Sequence, residues 1–256
     1  MWRLDLSYFY PMIPAHEQGA DSLTQAARFG TTQWSLVLKA GQGAEEALFK
    51  LCQIYWPPLY AFIRRRGHPL EEAQDLTQGF FAHVLEHRAL DTVAPAKGRF
   101  RSFLLVSLKH FLDNEWHKNH AIKRGGRQVL ISWDSLKPHE RELLGPSDEM
   151  TPEKVFNRRW ALMLLERVMD RLRSECVAAR KGEVFEEVKE HLTGDAGGKS
   201  YREIAAQFDM TEGAIKVTVH RLRRRFGELV REQVGRTVEK PEEINEEIRE
   251  LFAALN

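Results

Sequence analysis

The sequence predicts an all-α protein built as two small helical domains joined by a linker, and three observations carry that reading. Apolar residues recur every three to four positions along most of the chain, while the period-two alternation of β-branched residues that marks strands is nearly absent. A stretch from Gly125-Gly126 to Pro152, with Pro138, Gly145 and Pro146 inside it, separates the periodic segments into two groups. The 256 residues are enough for two modest cores. The expected divisions are an N-terminal extension over 1–29, a first domain over 30–124, a linker over 125–152, a second domain over 153–232 and an acidic C-terminal helix over 233–256.

The opening "MWRLDLSYFYPMIP" is aromatic, but Asp5, Pro11 and Pro14 interrupt it, so it reads as an extension rather than a targeting segment. No run of about 18 apolar residues is present to span a bilayer, and 43% hydrophobic with 29% charged residues suits a water-soluble chain expected in the cytoplasm. The first domain is expected to hold helices near 34–38, 44–66, 69–86 and 100–119. In the third, Pro69 suits a first-turn position, where its missing amide donor is not needed. Ala73, Leu76, Phe80 and Val84 then form a core side, and Glu71, Asp75, Gln78 and Ala82 a polar one. Gly79 lowers the expected regularity of that helix. In the fourth, Leu104, Leu108, Phe111 and Leu112 make the core stripe, while Lys109, Asp113, Trp116 and His120 lie elsewhere. Exposed aromatics beside cations are what unpaired bases need for stacking. A core Trp on a two-sided helix fits the same composition, and both readings stay open at this level.

The linker has one strand-like piece, Val129 to Ile131. The second domain opens on Thr151 as a cap, Pro152 as first helical residue and Glu153 at the positive helix end. Trp160, Leu164, Val168 and Leu172 supply a core stripe, and a shorter helix is expected over 183–192 before the Gly-rich "TGDAGGKS". "KSYREIAAQFDMTEGAIKVTVHRLRRRF" then has the grammar of a helix-turn-helix: a short helix over 200–207, a turn over 208–210, and Thr211 as the cap of a second helix. Asp209 stands where a left-handed residue is often required. At 100 degrees per residue, Ile215, Val219, Leu222 and Phe226 must face the core. The opposite side carries Gly213, Val217, His220, Arg221 and Arg224, flanked by Lys216, Arg223 and Arg225. Cations that reach phosphates or guanine edges, with small residues admitting close approach, suit a major-groove helix, and an apolar Val217 amid them suits a thymine methyl. The alternative is a solvated basic face. A formal net charge of +1 does not argue against DNA, because the local field decides docking.

The C-terminal "VEKPEEINEEIRELFAALN" places Ile244, Ile248, Leu251, Phe252 and Leu255 on one stripe that needs cover. Packing on its own domain is the simplest cover, and its acidity motivates a shielding role toward the basic helix. No catalytic constellation is found. Glu71, Glu72 and Asp75 have no converging partner cluster, His117 and His120 lack a third ligand, and Cys52 and Cys176 are isolated and expected to be buried and reduced. Phosphate-cradling and nucleophile-elbow motifs are absent. The chain is therefore expected to be non-enzymatic, with no metal and no cofactor.

Three stretches, "YWPPLYAFIRRRGHPLEEAQDLTQGFFAHVLEH", "GRFRSFLLVSLKHFLDNEW" and "SYREIAAQFDMTEGAIKVTVHRLRRRF", resemble in that order regions 2 and 4 of sigma-70 superfamily RNA polymerase sigma factors. Nothing like region 3 lies between them, which resembles the extracytoplasmic-function group. The likeness covers roughly residues 30 to 230, and three ordered motifs are more specific than one helix-turn-helix. It implies that Glu71, Asp75 and Gln78 dock on core polymerase, and that the linker lies in polymerase channels. It also implies that Lys97, Arg99, Arg101, Lys109, His110, Asn114 and Trp116 capture the minus-10 element, and that Thr211, Lys216, Val217, Thr218, His220, Arg221 and Arg224 read the minus-35 element. The implied partners are core RNA polymerase and promoter DNA, with an anti-sigma factor or other regulator as a further candidate. Gly79 replaces the acidic residue usual in the polymerase-docking helix, and His110 and Val217-Thr218 also depart from common patterns, so promoter sequence is not inherited. The competing function is a free-standing helix-turn-helix regulator that dimerises or senses a ligand through its N-terminal domain.

Overall fold

Leu, Ile, Phe and Tyr crowd the segment between 45 and 65, and in the computed structural model all of these side chains but Leu48 and Phe49 are buried along one helix. The structure describes residues 34–87, 89–93, 99–122, 150–193, 199–238 and 240–255. Among these, every regular element is helical. The expected extension, the Val129–Ile131 piece and most of the linker lie outside the described residues. The chain divides into two compact units, one formed by Ser35–Val93 with Arg101–Val155, the other by Ala94–Phe100 with Phe156–Asn256 and the short Gly30–Trp34.

In the first unit, α1 (Trp34–Gly41) ends where a side chain on Gly41 would come within 3.1 Å of the Leu90 carbonyl. That approach seats α1 on a 3-10 turn, Ala89–Thr92. Helix α2 (Glu45–Arg65) runs through Pro57 and Pro58. The lost donors there are offset by burial of Leu51, Ile54, Tyr55, Leu59, Phe62 and Ile63. Helix α3 (Leu70–Glu86) packs on α2, with Trp56 stacked over Phe81 at 5.9 Å. Pro69 caps this helix rather than entering it: its ψ of 162° is extended, and its carbonyl accepts the Ala73 amide at 2.8 Å. Ala73, Phe80 and Val84 are buried as expected, and Thr77 joins them by donating its hydroxyl to the Ala73 carbonyl.

The expected irregularity at Gly79 is not found, since α3 is continuous through it. A Cβ there would lie 3.3 Å from Phe111 of α4 (Phe100–Ile122), so the missing side chain makes room for that ring. Phe111 also meets Phe80 at 5.8 Å, edge-on. Leu104, Leu108, Phe111 and Leu112 are all buried.

Helix α5 (Pro152–Ala178), which belongs to the second unit from Phe156 onward, starts on Thr151, whose hydroxyl accepts the Lys154 amide at 3.3 Å. Trp160, Leu164, Val168 and Leu172 form its buried stripe. Arg180, with a φ of 58°, turns the chain after α5. The single helix expected over 183–192 is two, α6 (Gly182–Val188) and α7 (Glu190–Thr193). Helix α8 (Tyr201–Gln207), α9 (Glu212–Gly235), a 3-10 turn (Pro241–Glu243) and α10 (Ile244–Ala253) follow. No helix of the described residues is long and apolar enough to cross a membrane.

Candidate nucleic-acid interface

Ser200, Glu203, Asp209 and Thr211 each meet a local demand of the backbone. Ser200 begins α8 with a reciprocal capping box: its hydroxyl accepts the Glu203 amide at 3.3 Å, and Glu203 accepts the Ser200 amide at 2.7 Å. The Ser200 hydroxyl also donates to the Glu203 carboxylate at 2.7 Å, and this bond, then the one from the Ser200 amide, with Lys199 nearby, hold the Glu203 carboxyl below the ordinary carboxylate range. After α8 the chain reverses at Asp209, whose φ of 52° is left-handed, and the Met210 amide returns to the Ala205 carbonyl at 2.9 Å. Thr211 then caps α9, its hydroxyl accepting the Ala214 amide at 3.2 Å.

The two helices are held by one apolar cluster of Val188, Ile204, Ala205, Ile215 and Val219, edged by Val184, Leu192, Tyr201, Phe208 and Leu222. Helices α6 and α7 therefore belong to the support of α9. With Ile215 and Val219 inward, Gly213, Lys216, Val217, His220, Arg221 and Arg224 are exposed. Val217 keeps 49% of its surface open, in the middle of this cationic face. Thr218 is turned back on its own helix, donating to the Ala214 carbonyl at 2.9 Å.

The basic residues of α9 between 216 and 225 fall into three groups. Arg225 is a brace: its Nε and one terminal nitrogen each donate to Glu175 of α5 at 2.8 Å, and it also reaches Glu228. Arg223 donates twice to the His191 carbonyl, at 3.1 and 2.6 Å, satisfying the end of α7. Both are committed to the scaffold. Lys216 and Arg224 pair along the helix surface with Glu212 at 2.7 Å and Glu228 at 3.2 Å. Such fully solvated pairs are weak and exchange easily for phosphate. His220 and Arg221 carry no ion pair among the described residues. Arg202 of α8, exposed beside the start of α9, lowers the Glu212 carboxyl together with Lys216, the larger influence. It was not singled out in the sequence, because nothing in the motif alone shows that its charge converges with that of α9.

In the first unit, Glu71, Asp75 and Gln78 are exposed on one side of α3. Their spacing of four and three residues makes them neighbours on the helix surface. The residues expected to meet a minus-10 element are not equivalent. His110 and Asn114 are exposed on α4, and Trp116 is 49% exposed with its ring edge-on to His117 at 5.0 Å. Lys109 is ion-paired with Glu153 at 2.7 Å, and that hydrogen bond holds the Glu153 carboxyl below its usual range. Arg101 is only 8% exposed. Lys97 lies outside the described residues. Arg99, in the second unit, pairs with Glu247 at 2.7 Å and with Glu250 of α10.

Cys52 and Cys176 are buried and free. No group of three or more His, Cys, Asp or Glu side chains among the described residues is placed to hold a metal ion. The His120 side chain of the expected His117–His120 pair lies outside them. Comparison with protein-family models, with curated proteins and with solved structures finds no match to this chain.

Proposed function

We propose that this chain is an RNA polymerase sigma factor of the extracytoplasmic-function type, a non-enzymatic initiation factor with two helical domains joined by a linker. It binds core polymerase through the Glu71–Asp75–Gln78 side of α3, captures unpaired minus-10 bases through α4, and reads the minus-35 duplex through α9. The observation that carries this reading is the α8–turn–α9 unit. Two sequence-specified caps and a left-handed Asp209 fix the turn, and an inward stripe at Ile215 and Val219 leaves Val217, His220 and Arg221 facing outward. A helix so mounted can enter a major groove with its N-terminal half foremost, where cations neutralise phosphates and Val217 meets a thymine methyl.

The exposed Trp116 supports the second element of the reading, and His110 and Asn114, four residues apart, form a separate exposed polar strip on α4. An aromatic face gives an unpaired base about 1 to 3 kcal/mol of stacking. The order of the three motifs along the chain is the reason to join these parts into one initiation factor. On this reading the protein works in the cytoplasm without a cofactor, and an anti-sigma factor is a candidate regulator.

Binding to purified core polymerase tests the proposal. The full chain should co-elute with core enzyme, and Asp75→Arg, which reverses the charge at the centre of the exposed α3 strip without touching the core, should weaken that association. Specific duplex binding by the chain alone, with no association with core polymerase, would favour a free-standing helix-turn-helix regulator instead.

A further inference from the structure

Helix α10 buries the acidic side chain Glu247 to 1% exposure, an unusual position for a carboxylate on a short surface helix. The apolar stripe expected on this helix is only partly used. Leu251 is buried and Ile244 approaches Gly235 of α9, but Phe252 remains 49% exposed. What Glu247 meets is Arg99, 2.7 Å away, and Glu250 of the next turn reaches the same guanidinium. Burial alone would lower the Arg99 pKa; the bond to Glu250 and the charges of Glu247, Glu250 and Glu246 outweigh it and hold the pKa above its ordinary range. Two carboxylates converging on one guanidinium reproduce the oxygens of a phosphodiester, the partner for which an arginine fork is shaped.

We infer that α10 is an internal phosphate mimic that occupies Arg99 and withholds it from single-stranded DNA until α10 is displaced. The inference rests on the proposed function only in taking Arg99 as a nucleic-acid contact. It also gives the acidic tail a target besides the basic helix, since Glu247 and Glu250 both pair with Arg99.

The test is a thermodynamic cycle on the full chain without polymerase, using short single-stranded DNA of mixed sequence and a salt series. Glu247→Gln/Glu250→Gln should tighten binding on the order of tenfold, the worth of one charge-assisted contact. It should also steepen the log–log salt dependence by about 0.7, one more phosphate on a single strand. Glu250→Gln alone should move both readouts in the same direction, which keeps the test open if the buried Glu247 change perturbs α10. Introduced together with the double variant, Arg99→Ala should abolish its gain. An equal gain in the Arg99→Ala background would show that only overall charge matters, and no gain in the native background would show that Arg99 is not withheld; either result overturns the inference. Promoter-dependent transcription by the unaltered chain with core polymerase is scored separately, so failure of the mimic and failure of the sigma reading are distinguishable.

Discussion

The arginines of α9 look equivalent along the chain, and the structure separates them in a way that Arg221→Ala and Arg225→Ala should reveal. Arg225 makes two hydrogen bonds of 2.8 Å to Glu175. The two side chains are 40% and 36% exposed, so this is a solvated pair whose bidentate geometry puts it near the top of the surface range, about 1 kcal/mol. Replacing Arg225 should therefore cost about 1 kcal/mol of folding stability and leave the salt dependence of duplex binding unchanged. Arg221 is exposed with no internal partner among the described residues. Its loss should leave stability within about 0.5 kcal/mol and lower the log–log salt slope by about 0.9, one phosphate fewer on duplex DNA. Fluorescence anisotropy over a salt series, paired with guanidinium unfolding, measures both quantities. Equal loss of slope in the two variants would refute the division of α9 into bracing and outward-facing cations.

Other consequences follow from the same structure. Ser200→Ala removes the capping box of α8 and should destabilise the protein by about 1 kcal/mol, and Thr211→Ala should do the same at α9; chemical denaturation reads both. The hydrogen bond from Arg225, the largest influence, holds the Glu175 carboxyl below its ordinary value of 4.5, as the bond from Arg171 does for Glu232. A carboxylate depressed in the folded state contributes stability above its unfolded pKa and loses it as pH falls through the folded value. Unfolding midpoints should accordingly hold steady above pH about 5 and drop below pH about 4, and Glu175→Gln should flatten that drop. Burial pushes the Cys52 thiol up to about 12, so a thiol reagent at mildly alkaline pH should leave it unmodified in the native protein and react with it after denaturation.

Much of the second unit is legible in the sequence because its determinants are local. Asp209 at the reversal and Thr211 before a cationic helix each satisfy a local demand of the backbone, so the residues alone disclose that geometry; Ser200, expected inside the first helix, is instead its cap, in a capping box with Glu203. The inward stripe of α9 was equally readable, since a period of 3.6 assigns Ile215 and Val219 to one side. What stayed hidden depends on partners distant in sequence. Gly79 reads as a weak point in α3 until Phe111 is seen against it, 3.3 Å from where its Cβ would stand. Arg225 and Arg223 read as members of a basic face until Glu175 and the His191 carbonyl are found beneath them. Glu250 lies 151 positions from Arg99, and no periodicity in α10 marks that pairing. The division between α6 and α7 was missed for a related reason, because Val184, Val188 and Leu192 keep helical spacing across the break at Lys189.

Run-off transcription with purified core RNA polymerase and a pool of genomic templates tests the central claim most directly. The account expects discrete promoter-dependent transcripts that require this chain, and expects Val217→Ala to shift the preferred templates while core binding persists. Specific duplex binding by the chain alone, accompanied by no transcript on any template, would contradict it.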